Sequence, residues 1–166
     1  MPGMKQPSPP HHTPNGPCEA ADPHAASLGT LLTMVRTELV HAIETEFAHK
    51  NVDLSFTQYL ILKKSQQLGP VSATELARAI ELDGGAMTRQ LDHLERKGYL
   101  RRTPHEQDRR ALRIELTDAG LSIWRDTALV CSERVMSAAQ RTLNVTERAQ
   151  LHDYLERVLA SLRDKH

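Results

Sequence analysis

Apolar residues recur at three- and four-residue spacing through Leu28, Leu31, Leu32, Val35, Leu39, Ile43 and Phe47, the stripe of one long amphipathic helix. The polar run Lys50-Asn51-Val52-Asp53-Leu54 breaks it. Ser55 with Gln58 forms a capping-box pattern that opens a second helix through Tyr59, Leu60 and Leu62, ending at Gly69-Pro70. Ser72 with Glu75 repeats the device and starts a short helix packed through Leu76, Ala77 and Ile80. After a tight break at Leu82-Asp83-Gly84, Asp83 caps another helix whose apolar side is Met87, Leu91 and Leu94, and Gly98 stands where a glycine ends a helix.

The periodicity then changes. Tyr99 to Thr103 and Ala111 to Leu116 read as strands, the second alternating Leu112, Ile114 and Leu116 with Arg113 and Glu115. Thr117 can cap a helix with the stripe Leu121, Trp124, Ala128, Cys131, Val135 and Ala138. A last helix follows Asn144 and carries Leu151, Tyr154, Leu155, Val158, Leu159 and Leu162 on one side. Asn144-Val145-Thr146 matches a glycosylation sequon, but with no secretory signal it reads as the start of that helix.

This order predicts a mainly α fold with a small β-wing: a winged helix-turn-helix between long helices. Three regions follow: a disordered N-terminal extension over 1–26, a helical dimerisation region over 27–52 and 118–164, and a winged helix-turn-helix region over 53–117. Pro2, Pro7, Pro9, Pro10, Pro14, Pro17 and Pro23 crowd the extension, which has almost no large apolar side chains to offset its ordering entropy. The terminal helices carry more apolar surface than one small unit can cover, which predicts a homodimer.

The chain has 166 residues, 39% hydrophobic and 25% charged, enough for a packed core. Lys+Arg and Asp+Glu balance at 21 each, so position rather than total decides what the charge does. Between Arg89 and Arg113 the basic residues are Arg89, Arg96, Lys97, Arg101, Arg102, Arg109, Arg110 and Arg113; the acids are Asp92, Glu95, Glu106 and Asp108. Eight against four leaves a local charge of +4. Cys18 and Cys131 lie far apart with no metal-ligand spacing, and fit a reducing cytoplasm. His11, His12 and His24 sit in the extension without fixed geometry, so neither metal nor cofactor is expected. No apolar run approaches the roughly 20 residues of a membrane span.

In a helix-turn-helix the second helix enters the major groove of double-stranded DNA and its N-terminal residues reach base edges. Here that helix begins Gly84-Gly85-Ala86-Met87-Thr88-Arg89-Gln90. With Met87, Leu91 and Leu94 inward, Gly84, Gly85, Thr88 and Arg89 face out. The glycines permit close backbone approach, Arg89 can fork onto guanine or phosphate, Gln90 can pair with adenine, and Thr88 can meet base or backbone. At the wing tip, Asp108 is expected to hold Arg110 while Arg109 projects toward a minor groove. No Ser/His/Asp set, phosphate-cradling loop or carboxylate pair points to an enzyme.

From about Leu28 to Leu162 the chain resembles the MarR family of bacterial transcriptional regulators. The resemblance rests on MTRQLDHLERKGYLRR followed by DRRALRIELTDAG, specific in combination and weak in its parts. It implies a homodimer on a palindromic operator, with the first and last two helices forming the interface. The family's groove-reading positions fall on Thr88 and Arg89, and its wing pattern on Asp108, Arg109 and Arg110. Gly84-Gly85 departs from the more usual polar residues, which leaves the operator sequence open. The resemblance also implies release by a small anionic or phenolic ligand in a pocket between the dimer helices and the DNA-binding lobe. Phe56, Tyr59 and Trp124 are the expected lining, with Arg36 or His41 as polar partners. Two alternatives stand beside this reading: an oxidant sensor acting through Cys131, and a winged-helix protein-interaction module that does not bind DNA.

Overall fold

The computed structural model describes residues 26–104 and 112–164. The elements run α1 (Leu28–His49), α2 (Phe56–Leu68), α3 (Ala73–Ala79), α4 (Gly84–Arg96), β1 (Leu100–Pro104), β2 (Leu112–Leu116), α5 (Asp118–Ile123), a π-helical turn (Trp124–Ala128), α6 (Leu129–Ala139) and α7 (Val145–Arg163). The fold class is the one predicted, mainly helical with a two-stranded antiparallel wing.

The helix starts follow from side-chain chemistry. Ser55, Ser72 and Asn144 each close a full capping box, with Gln58, Glu75 and Glu147 respectively. Asp83 accepts from the Ala86 amide at 2.8 Å and Thr117 from the Gly120 amide at 3.0 Å. Each such cap contributes about 1 kcal/mol. Between α3 and α4 the chain reverses through Glu81, a non-glycine residue at φ 55°, and the Leu82 amide reaches back to the Ala77 carbonyl at 2.9 Å. Gly98, at φ 73°, makes the left-handed step from α4 into the wing.

β1 and β2 pair with Leu100 opposite Leu116 and Arg102 opposite Ile114. Val71, just before α3, exchanges both backbone hydrogen bonds with Ile114, and so ties the start of the helix-turn-helix to the wing. Phe47, Ile61, Leu62, Leu76, Met87, Leu91, Leu94 and Ile114 are fully buried, so α1 to α4 and β2 share one core. The predicted inward triad of α4 is therefore correct.

One departure lies in the helix after the wing. It does not run evenly: a π-helical turn separates α5 from α6 and holds Trp124 buried against Tyr59, ring centroids 5.5 Å apart. The expected stripe persists through it, with Trp124, Ala128, Cys131 and Val135 all buried.

The two ends of the chain are different from the middle. Leu28, Leu31, Leu32, Met34 and Val35 of α1 stand exposed, while Ile43 and Phe47 lower on the same helix are buried. On α7 no residue is buried, and Leu151, Tyr154, Leu155, Leu159 and Leu162 are all exposed. No helix among the described residues is long and apolar enough to cross a membrane.

Candidate nucleic-acid interface

The outward face of α4 carries Gly84, Gly85, Thr88 and Arg89, all exposed. A β-carbon on Gly84 would meet nothing within 4 Å, whereas one on Gly85 would lie 3.3 Å from the Asp83 carboxylate that caps the helix. The Thr88 hydroxyl donates to the Gly84 carbonyl at 2.9 Å, which steadies its rotamer and leaves its oxygen free to accept. Arg89 has no carboxylate partner among the described residues.

Gln90 is placed otherwise than expected. It is half-buried, and its Oε1 accepts from Nε2 of Gln58 at 3.1 Å. Its carbonyl faces α2, so the bidentate adenine contact expected of it is not available in this conformation; that contact needs both amide atoms.

The local charge also resolves differently from a count. Arg102 reaches Asp92 at 2.6 Å and Glu95, whose carboxylate also receives the Arg102 backbone amide. Arg101 meets Glu115 at 2.9 Å, and Lys97 meets Asp53 at 2.9 Å. These three cations are internally neutralised and hold the wing and the base of α4 in place. Arg89, Arg96 and Arg113 are without ion pairs among the described residues. The Lys97 ammonium holds the Asp53 carboxyl below the usual aspartate range, first through its hydrogen bond and then through its charge. Asp108, Arg109 and Arg110 at the expected wing tip lie outside the described residues, as do Cys18 and the histidines and prolines of the N-terminal extension.

The aromatic residues expected to line a ligand pocket do come together, but as packing. Phe56 stacks on Tyr59 at 5.7 Å between ring centroids, and Tyr59 tilts against Phe47 and Trp124. Tyr59 and Trp124 are buried, and the Tyr59 hydroxyl donates to Ser132 Oγ at 3.0 Å. Ring-to-ring contact leaves no room for a ligand between them. Arg36 and His41 do not join the cluster: Arg36 is exposed on the upper part of α1, and His41 lines a hollow of about 540 Å³ between α1 and α6 with Leu39, Ala42, Val135 and Arg141. Cys131 is buried on the α6 stripe, and burial, with the nearby Glu46 charge, raises its thiol pKa. A thiol of that kind lacks the exposure and thiolate character a sensing cysteine needs.

The MarR family model matches residues 54–112, from the foot of α2 into the wing. The multiple antibiotic resistance protein MarR of Salmonella typhimurium is 27% identical over 132 residues, spanning 80% of this chain and 90% of that protein. The crystal structure of apo wild-type MarR from Escherichia coli superposes with a TM-score of 0.70 at 26% identity, over 81% of this chain and 98% of that one. The chain is thus similar to MarR-family regulators, in sequence over the helix-turn-helix and in fold over most of its length.

Within that family, a cysteine-to-serine mutant of E. coli MarR complexed with operator DNA superposes with a TM-score of 0.73 at 26% identity, over 80% of this chain and 93% of that one. The HTH-type transcriptional regulator SarZ of Staphylococcus haemolyticus is 33% identical over 86 residues, 52% of this chain and 58% of that protein. The stretch matched by the MarR family model contains α3, α4 and β1 whole, the elements that build the exposed face around Arg89.

Proposed function

We propose that this chain is a MarR-type transcriptional repressor of the cytoplasm that binds a palindromic operator as a homodimer. In this reading α4 enters the major groove, with Thr88 and Arg89 reaching base edges and Gly84 and Gly85 letting the backbone come close. Arg109 and Arg110, oriented by Asp108, reach the flanking minor groove. The carrying observation is Arg89, exposed on α4 without a carboxylate partner among the described residues, in a chain that superposes on a MarR bound to operator DNA.

The uncovered apolar faces of α1 and α7 support the dimer, since two copies would bury what one leaves in water. Symmetric half-sites then fall about 34–36 Å apart, one turn of the duplex. A small anionic or phenolic effector would release the operator by favouring a dimer with a different α4 separation. The hollow between α1 and α6, with His41 and Arg141 in its wall, supports such a site better than the aromatic cluster does.

The test is duplex selection from a random-sequence pool, followed by salt titration of the winning sequence. Binding should weaken steeply with salt through counterion release. Arg89→Ala should cost about 1–3 kcal/mol and relax base preference. A protein that selects no duplex, or an Arg89→Ala variant with wild-type affinity, would overturn the assignment. Sedimentation of the free protein as a monomer would remove the dimer.

A further inference from the structure

Gln58 is one of the few polar residues in the core, 7% exposed, and every polar atom of its side chain is engaged. Its Oε1 accepts from the Ser55 amide at 3.3 Å, closing the capping box of α2, and from Lys97 Nζ at 3.3 Å. Its Nε2 donates to Gln90 Oε1 on α4 at 3.1 Å. Lys97, at the C-terminal end of α4, also binds the Asp53 carboxylate at 2.9 Å and the Asp53 backbone carbonyl. Asp53 lies in the loop joining α1 to α2. Just beyond that loop, the Phe56 amide donates to Glu44 Oε1 of α1 at 2.7 Å.

These bonds converge. The reading helix is held at mid-length by Gln90 and at its end by Lys97, and both holds pass through the first turn of α2. That turn is in turn bonded to α1, whose exposed apolar face is the surface left for a second copy. A buried amide with all its bonds made is directional in a way that the surrounding Leu and Ile contacts are not, because a hydrogen bond weakens steeply with angle. Apolar contacts define a helix's position less sharply, since cores held by them alone lose uniqueness and rigidity before they lose stability.

We propose that Gln58 and Gln90 are positioning residues that fix the tilt of α4 relative to α1, and so set which half-site spacing the dimer accepts. The inference rests on the DNA-binding reading above. Gln90 then acts through the helix it steadies rather than by touching a base. The prediction separates these roles. A base-reading Gln90 changes preference at one base pair, while a positioning Gln90 changes tolerance for the distance between half-sites.

The experiment uses the full chain and the duplex it selects, together with copies carrying one base pair more or one fewer between the half-sites. The quantity read is the ratio of affinities for native and altered spacing. Gln90→Met removes the acceptor, and the ratio should fall about two- to tenfold, the span of one hydrogen bond. Gln90→Glu keeps an acceptor for Gln58 Nε2 and should retain the wild-type ratio, even where its added charge weakens binding to all duplexes alike. Gln58→Met breaks the same bond from the other side and serves where Gln90→Met melts too low to assay. A wild-type ratio in both methionine variants, or an equal loss in Gln90→Glu, overturns the inference while leaving DNA binding intact. A wild-type protein that selects no paired half-sites overturns both.

Discussion

Gly120 lies so close to Tyr99 that a β-carbon there would sit 1.9 Å from the Tyr99 carbonyl oxygen and 2.8 Å from its carbon. The same carbonyl accepts from the Thr117 amide at 3.1 Å, and the Thr117 hydroxyl donates to Gly98 at 2.6 Å. The end of α4, the root of the wing and the start of α5 are thus drawn together at one point, and only hydrogen fits between them. Because the obstructing atoms are backbone, no rotamer change relieves the clash. Gly120→Ala should therefore cost at least the 1–3 kcal/mol typical of overpacking. A thermal melt with an unchanged midpoint would show that the approach is looser than described.

The sequence reveals local chemistry well and distant pairing poorly. Ser55, Ser72, Asp83, Thr117 and Asn144 all cap the helices expected of them, because a cap is decided within four residues of chain. The inward faces of α2, α3 and α4 were legible for the same reason. Gln90 was not, since its inward turn depends on Gln58 in another helix. Arg101 and Arg102 count as positive in a tally, but Glu115, Asp92 and Glu95 neutralise them once the strands and α4 are placed. The π-helical turn at Trp124 and the bridge from Val71 to Ile114 leave no local mark at all. Of the expected effector residues, Phe56, Tyr59 and Trp124 pack ring against ring, and side-chain type alone does not tell such a stacked cluster from a cavity wall.

Gly84 offers a prediction in which stability and binding move in opposite directions. Alanine there meets nothing within 4 Å and replaces a flexible residue at the start of α4. It should stabilise the fold by up to about 0.5–1 kcal/mol, raising the melting temperature by roughly 2–4 °C at most. If the backbone at that point approaches DNA closely, the added methyl group should weaken duplex binding. A melting temperature that rises with affinity unchanged would mean that Gly84 plays no part in the interface.

The two carboxylates that hold Arg102 invite a similar test. In Asp92→Asn with Glu95→Gln, the guanidinium loses both ion pairs and keeps its own charge. Each pair is partly exposed and is worth no more than about 1 kcal/mol, so the fold should survive with a modestly lower melting temperature. The released arginine should strengthen non-specific duplex binding and steepen the slope of log K against log salt by about 0.9. Binding that weakens, with an unaltered slope, would show that Arg102 cannot reach phosphate and that the carboxylates do more than restrain it.

Cys131 carries the test of the oxidant-sensor alternative. Its side chain is 2% exposed, and burial holds the thiol protonated above its ordinary range. The folded state therefore binds the thiol proton more tightly than the unfolded state does. That preference costs nothing at neutral pH, where both states are protonated. As pH rises past the ordinary thiol range the unfolded chain ionises first, so stability should fall with increasing pH through that window. The Cys131→Ala variant should lack this part of the pH dependence. In a Cys18→Ser background, which leaves Cys131 as the sole thiol, alkylation at neutral pH should be slow and should accelerate with denaturant in step with unfolding. Rapid alkylation of the native protein would restore the sensor reading, as would loss of duplex binding on peroxide treatment that a reductant reverses in this background.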